Sequence, residues 1–203
     1  RTDPKSKAFE IETLYLDAIM SARKWIYIEN QYFTNERVAK AIEKRLREDS
    51  PPEIVLVSPM TYGGVFERAI FERKRAKLIK RIQVLDHKNR FRAFYPSIPE
   101  ESKDSFVVVH SKLMAVDGRF LTVGSANINE RSMRVDTELN ASVEGKNSQD
   151  KMGQFVFKSV CDLLSEHLGT SAKRMRIELE ERGLINSIDL NMKKHGRTLR
   201  PIK

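Results

Sequence analysis

Two apolar runs set most of what this chain can fold into. Residues 25–29, WIYIE, and 53–59, EIVLVSP, are nearly continuous in apolar character rather than alternating. That is how strands covered on both faces of a parallel sheet read. Between them, Glu36–Glu48 has helical spacing and stops at Pro51-Pro52. Helical and extended patterns keep alternating along the chain. The expected class is therefore α/β, a mixed β-sheet flanked by helices.

The remaining segments fit that frame. Glu10 to about Arg23 carries the helical pattern ETLYLDAIMSA. Val65–Arg81 reads as a long basic helix after Gly63-Gly64, and a short strand is expected near Arg90–Tyr95, followed by a loop, PSIPEESKDS. Phe106–Val116 and Phe120–Gly124 read as strands joined by Asp117-Gly118, a strong hairpin signal. Thr137–Val143 alternates like a half-buried strand, and Asp150–His167 is an amphipathic helix. Past Gly169 the chain becomes more charged. The expected division is residues 1–168 as one domain and 169–203 as a helical, basic extension or linker.

Composition narrows the partners. Of 203 residues, 37 are Lys or Arg and 28 are Asp or Glu, giving a net charge of +9, so anionic partners are favoured. Ten cations between Arg68 and Arg92 face only Glu67, Glu72 and Asp86, and Phe91, Phe94 and Tyr95 interleave with them. This stretch reads either as a solvated helix face or as a patch for lipid head groups or nucleic acid phosphates. No apolar run approaches the roughly 20 residues of a membrane-spanning helix. The polar start without Met reads as a piece of a longer protein. Cys161 sits in an apolar helix pattern and reads as core filler; a lone cysteine suits a reducing compartment.

The chemistry concentrates in HSKLMAVDGRFLTVGSANINERS. His110 and Lys112, two apart on an expected strand, share a face. A neutral imidazole can attack phosphorus, and a protonated one can donate to a leaving oxygen. Lys112 can hold a phosphate oxygen as a point charge. Asp117, before Gly118, suits a turn and is expected to shape it or form a salt bridge. Gly124 is expected to let the backbone approach a ligand closely, and Ser125 and Asn127 to bind phosphate. Asn127 or Asn129 could equally cap a helix. Arg131 is expected to pair with a nearby carboxylate. Glu138 is either an exposed charge or a carboxylate that orients a histidine. No metal or other cofactor is expected.

This constellation resembles the phospholipase D superfamily, the H-x-K-x4-D phosphodiesterases. His110, Lys112, Asp117, Gly124, Ser125, Asn127, Arg131 and Ser132 match its pattern, and Ile26–Phe33, IYIENQYF, resembles the segment opening the second half of two-motif members. The resemblance covers roughly residues 10–168 and implies a phospholipase D-like half-domain. It implies metal-independent transesterification through a phospho-histidine, with His110 as general acid, Glu138 supporting it, and Glu29, Asn30 and Gln31 lining the substrate cleft. His87, His167 and His195 lie in no second motif. The chain is therefore expected to pair with an N-terminal half carrying the first motif, or with a second copy. The implied substrate is a phospholipid, with peripheral, cytoplasmic membrane contact and a parent protein that could be membrane-anchored. The alternatives are a phosphatidyl transferase of the cardiolipin or phosphatidylserine synthase type, a dimeric nuclease, and a non-catalytic module binding anionic surfaces.

Overall fold

The computed structural model describes residues 9–61, 71–99 and 104–202. The elements are α1 (Glu10–Ser21), β1 (Trp25–Asn30), α2 (Glu36–Leu46), β2 (Glu53–Val57), α3 (Arg73–Leu85), β3 (Phe91–Pro99), β4 (Asp104–Phe106) and β5 (Lys112–Val116). They continue with β6 (Phe120–Gly124), α4 (Glu130–Arg134), β7 (Asn140–Glu144), α5 (Lys151–Leu168), α6 (Ala172–Arg182), α7 (Leu184–Asn191) and β8 (Thr198–Pro201). The strands form one mixed sheet in the order β4-β3-β2-β1-β5-β6-β7, with β8 paired to β3. Strands β1, β2 and β3 run parallel, while β5, β6 and β7 add antiparallel.

Every residue of β1 and β2 is buried, as their continuous apolar runs require. Ile26 and Ile28 face one layer with Tyr15 and Ile19 of α1, Val38 and Ile42 of α2, and Leu78 and Ile82 of α3. Trp25 and Tyr27 face the other with Val156, Val160 and Leu164 of α5, Met175 of α6 and Ile188 of α7. Residues 172–201, which the sequence sets apart as an extension or linker, are joined to this second layer, and β8 pairs with β3 from Phe94 to Ser97. Among the described residues, no helix is long and apolar enough to cross a membrane.

Several expectations are corrected. The described part of the basic helix is Arg73–Leu85, and residues 65–70 of the expected helix lie outside the described residues. Its charges are partly committed. Arg75 is buried on Ser58, Pro59 and Met60, and Arg81 pairs with Glu36 and Glu43. Phe91 and Phe94 are core residues, not surface aromatics. Strand β3 runs on through Pro96 and Pro99, because β8 and β4 pair with that stretch and the Pro96 carbonyl accepts from the Val107 amide at 3.1 Å. The expected strand Phe106–Val116 is broken: residues 107–111 are irregular between β4 and β5.

The β5–β6 hairpin turns at Asp117 and Gly118, with φ of 54° and 64°, the two positive values a type I′ turn demands. Among the described residues, the Asp117 carboxylate makes no salt bridge. It accepts the backbone N–H groups of Arg23, Lys24 and Trp25, each at 2.8 Å. This ties the hairpin to the start of β1. Asp117→Ala is expected to cost about 2–3 kcal/mol in urea unfolding, since hydrogen bonds to a charged acceptor contribute more than neutral ones. Asp117→Asn, which keeps one acceptor oxygen, is expected to cost less; two variants as stable as the wild type would contradict this anchoring role.

Candidate active site

The site grows from the antiparallel pairing of β1 and β5, which sets Asn30 opposite Lys112 and Glu29 opposite Leu113. Lys112 opens β5 and is only 6% exposed. Its ammonium donates to the His110 carbonyl at 2.7 Å and to Gln31 Oε1 at 3.0 Å. Burial pushes its pKa below the usual lysine value, and the negative charge of Glu138 acts against that shift. His110 precedes the strand, in the irregular segment, and is exposed. Among the described residues its ring has no hydrogen-bond partner. A buried cation thus stands behind an open imidazole, joined through the imidazole's own backbone.

Glu138 lies before β7, and its carboxylate accepts the Ser125 hydroxyl rather than a proton of His110. Ser125 Oγ also accepts the Leu139 amide at 3.1 Å. Expected as a phosphate donor, Ser125 is committed within the chain in this structure. Gly124 is forced by the chain itself: a Cβ there would overlap the Leu139 carbonyl and the Asn140 side chain of the neighbouring strand. Asn129, not Asn127, caps α4 by accepting the Ser132 amide at 2.8 Å. That leaves Asn127 outside the cap, with a buried Oδ1 that has no partner among the described residues. Arg131 pairs with Asp136 at 3.0 Å on the exposed surface.

Glu29 and Asn30 do not line an open cleft. They are 3% and 0% exposed, because β1 is the covered centre of the sheet. Asn30 Oδ1 accepts the amides of Tyr32 and Ile128 at 3.1 and 3.0 Å, holding the loop after Asn127 against the end of β1. Gln31 is half-buried and meets Lys112.

Glu29 accepts three hydrogen bonds: from Tyr27 Oη at 2.5 Å, from Ser111 Oγ at 2.6 Å and from His167 Nε2 at 2.9 Å. Burial pushes this carboxyl up, but these donors and the charge of His167 outweigh it, so the pKa falls below the usual carboxylate value. Tyr27 is pushed well above the usual phenol value, by burial first and then by Glu29. Ser111 and His167 are not among the expected site residues. Two signals for this cluster were present. A Glu inside a buried run needs partners, and His167 falls three and seven residues after Leu164 and Val160, on the apolar stripe of α5. Among the described residues, no three His, Cys, Asp or Glu side chains converge to hold a metal.

The family described as "Cardiolipin synthase, PLD-like domain" matches residues 15–158. The chain belongs to the phospholipase D superfamily. Phospholipase D zeta 2 of Arabidopsis thaliana is 30% identical over 210 residues, covering 80% of this chain and 20% of that protein. A phospholipase D of Phytophthora infestans is 27% identical over 205 residues, covering 78% of this chain and 11% of its own length. The chain spans about a fifth or less of these relatives. Among solved structures, Nuc from Salmonella typhimurium, a phospholipase D family member, superposes with a TM-score of 0.55 at 17% identity, covering 78% of this chain and 87% of Nuc. Phosphatidylserine synthase from Haemophilus influenzae superposes at 0.56 and 14% identity, covering 89% of this chain and 44% of its own. The mixed sheet flanked by helices is thus the phospholipase D fold.

The opposition of burial and Glu138 at Lys112 has a measurable consequence. Glu138→Gln removes the charge that favours the ammonium, so the Lys112 midpoint is expected to move further down, read from its side-chain carbon signals by NMR titration. An anion held by that ammonium would then be released at lower pH than from the wild type, because the positive charge is lost as pH rises through the folded pKa. An unmoved or raised midpoint would contradict the coupling.

Proposed function

We propose that this chain supplies one half of a phospholipase D-type active centre, acting on a phosphodiester of the glycerophospholipid class. The observation carrying this is the exposed His110 ring, without a hydrogen-bond partner among the described residues, two positions before a buried Lys112 whose ammonium sits 2.7 Å from the His110 carbonyl. In a superfamily member, that pair places a proton carrier beside a fixed positive charge. Lys112 would hold a non-bridging oxygen, and Asn127 would add a neutral contact.

One motif gives one imidazole, and the two-step reaction uses two. A histidine from outside this motif would attack phosphorus, forming an N–P bond as the P–O bond to the leaving alcohol breaks. His110, protonated, would give its proton to that oxygen. Neutral His110 would then take a proton from water, or from an acceptor alcohol, as its oxygen displaces the histidine nitrogen. Hydrolysis and transfer share every step except the identity of the acceptor. The second histidine would come from a separate half or from a second copy.

Phosphatidylcholine vesicles with the purified chain, alone and with a separately supplied first-motif half, test this reading, with oligomeric mass followed by light scattering. The expected result is little turnover alone, turnover on pairing, and a loss of about a thousandfold in kcat for His110→Ala, the scale of a lost acid–base group. Turnover that survives this substitution would contradict the assignment. Added glycerolipid diverts the phospho-histidine intermediate from hydrolysis to transfer product if the enzyme is a transferase.

A further inference from the structure

The segment carrying His110 lacks the support a strand would give it. Residues 107–111 lie outside the ladders of β4 and β5. At its start the Val107 amide donates to the Pro96 carbonyl at 3.1 Å. At its end two side-chain bonds converge, from Ser111 Oγ to Glu29 at 2.6 Å and from Lys112 Nζ to the His110 carbonyl at 2.7 Å. Ser111 is the residue between the two phosphate-handling side chains, so the path of the backbone at His110 is set by what holds Ser111.

What holds it is fixed from two parts of the fold. Glu29 stands on the central strand, 82 residues from Ser111 in sequence, and His167 reaches it from the end of α5, 138 residues away. Tyr27, two residues earlier on the same strand face, completes the set. A carboxylate in a covered strand is costly unless its lone pairs are occupied, and an aliphatic side chain would fill a core position more cheaply. Tyr27 and His167 both bond Oε1, which leaves Oε2 for Ser111 alone. Glu138, the carboxylate that the family resemblance casts as the support of the histidine, is instead engaged with Ser125.

We propose that Glu29 is a positioning residue for His110, acting through Ser111 and held in its own orientation by Tyr27 and His167. The proposal rests on the reading of His110 and Lys112 as the phosphate-handling pair. Glu29 touches no substrate. It fixes where the imidazole and ammonium stand relative to each other, and displacement of a reacting group by an ångström lowers rate more than binding.

Two readouts separate this role from simple core stability. In the ¹⁵N-labelled chain, Ser111→Ala is expected to speed amide hydrogen exchange at residues 110–113 by about tenfold through local opening, while Ile54–Val57 in β2 stay protected. Ser111→Thr, which keeps the hydroxyl, is expected to restore the wild-type pattern. In the assembly that turns over phosphodiester, Ser111→Ala is expected to lower kcat by about tenfold with KM changed less than about twofold. Glu29→Gln, which keeps size but loses charge, should loosen the same four amides.

Exchange at 110–113 unchanged in both variants, or kcat unchanged in Ser111→Ala, would overturn the proposal. So would a Glu29→Gln variant that loosens β2 and residues 110–113 equally, the mark of a merely structural group. If the wild type turns over no phosphodiester in any pairing while Ser111→Ala still loosens 110–113 alone, the catalytic reading fails and the positioning role stands.

Discussion

The register between β1 and β5 is the constraint on which the rest of the molecule depends. Five consecutive pairs, from Ile26 opposite Val116 to Asn30 opposite Lys112, lock the central strand to the hairpin. A strand slip of one residue exchanges its two faces. Here such a slip would turn the Lys112 side chain from the layer of Met114 and Val116 to that of Leu113 and Ala115, and carry Ser111 away from Glu29. The pairing is pinned at both ends by carboxylates rather than by packing alone. Asp117 holds three amides at the start of β1, and Glu29 holds Ser111 near its finish.

This division of labour explains two carboxylates that motif reading alone would treat alike. Asp117 belongs to the H-x-K-x4-D pattern, yet its oxygens accept three backbone N–H groups at the start of β1. Glu138 lies near Lys112, opposing the effect of burial on the ammonium, and takes its hydrogen bond from Ser125. The motif therefore presents one open imidazole, His110, and one buried cation, Lys112. Its other polar groups mostly build the hairpin and the loop that follows.

Much of this was legible in the sequence. The covered strands β1 and β2 followed from WIYIE and EIVLV, the hairpin turn from Asp117-Gly118, and the α/β class from alternation of periods. The Pro-containing end of β3 was not legible, since proline argues against a strand unless distant partners supply the pairing, here β8 about a hundred residues on. The integration of residues 172–201 also depends on tertiary contacts: charged helices with a single buried stripe read as peripheral until their partners are known. In sequence, Glu29 stands out only as part of IENQYF. Its partners Ser111 and His167 come from remote parts of the chain, and no local pattern joins them.

Under the proposed function, His110 and Lys112 grip one phosphorus-bearing group. Titrating the ¹⁵N-labelled chain with inorganic phosphate, while following the His110 ring and Lys112 ammonium signals, tests it most directly. Both signals are predicted to move together along one saturation curve, before any response from the exposed cations of α3. Independent curves for the two groups, or a response confined to Arg73, Lys74 and Lys77, would contradict the account.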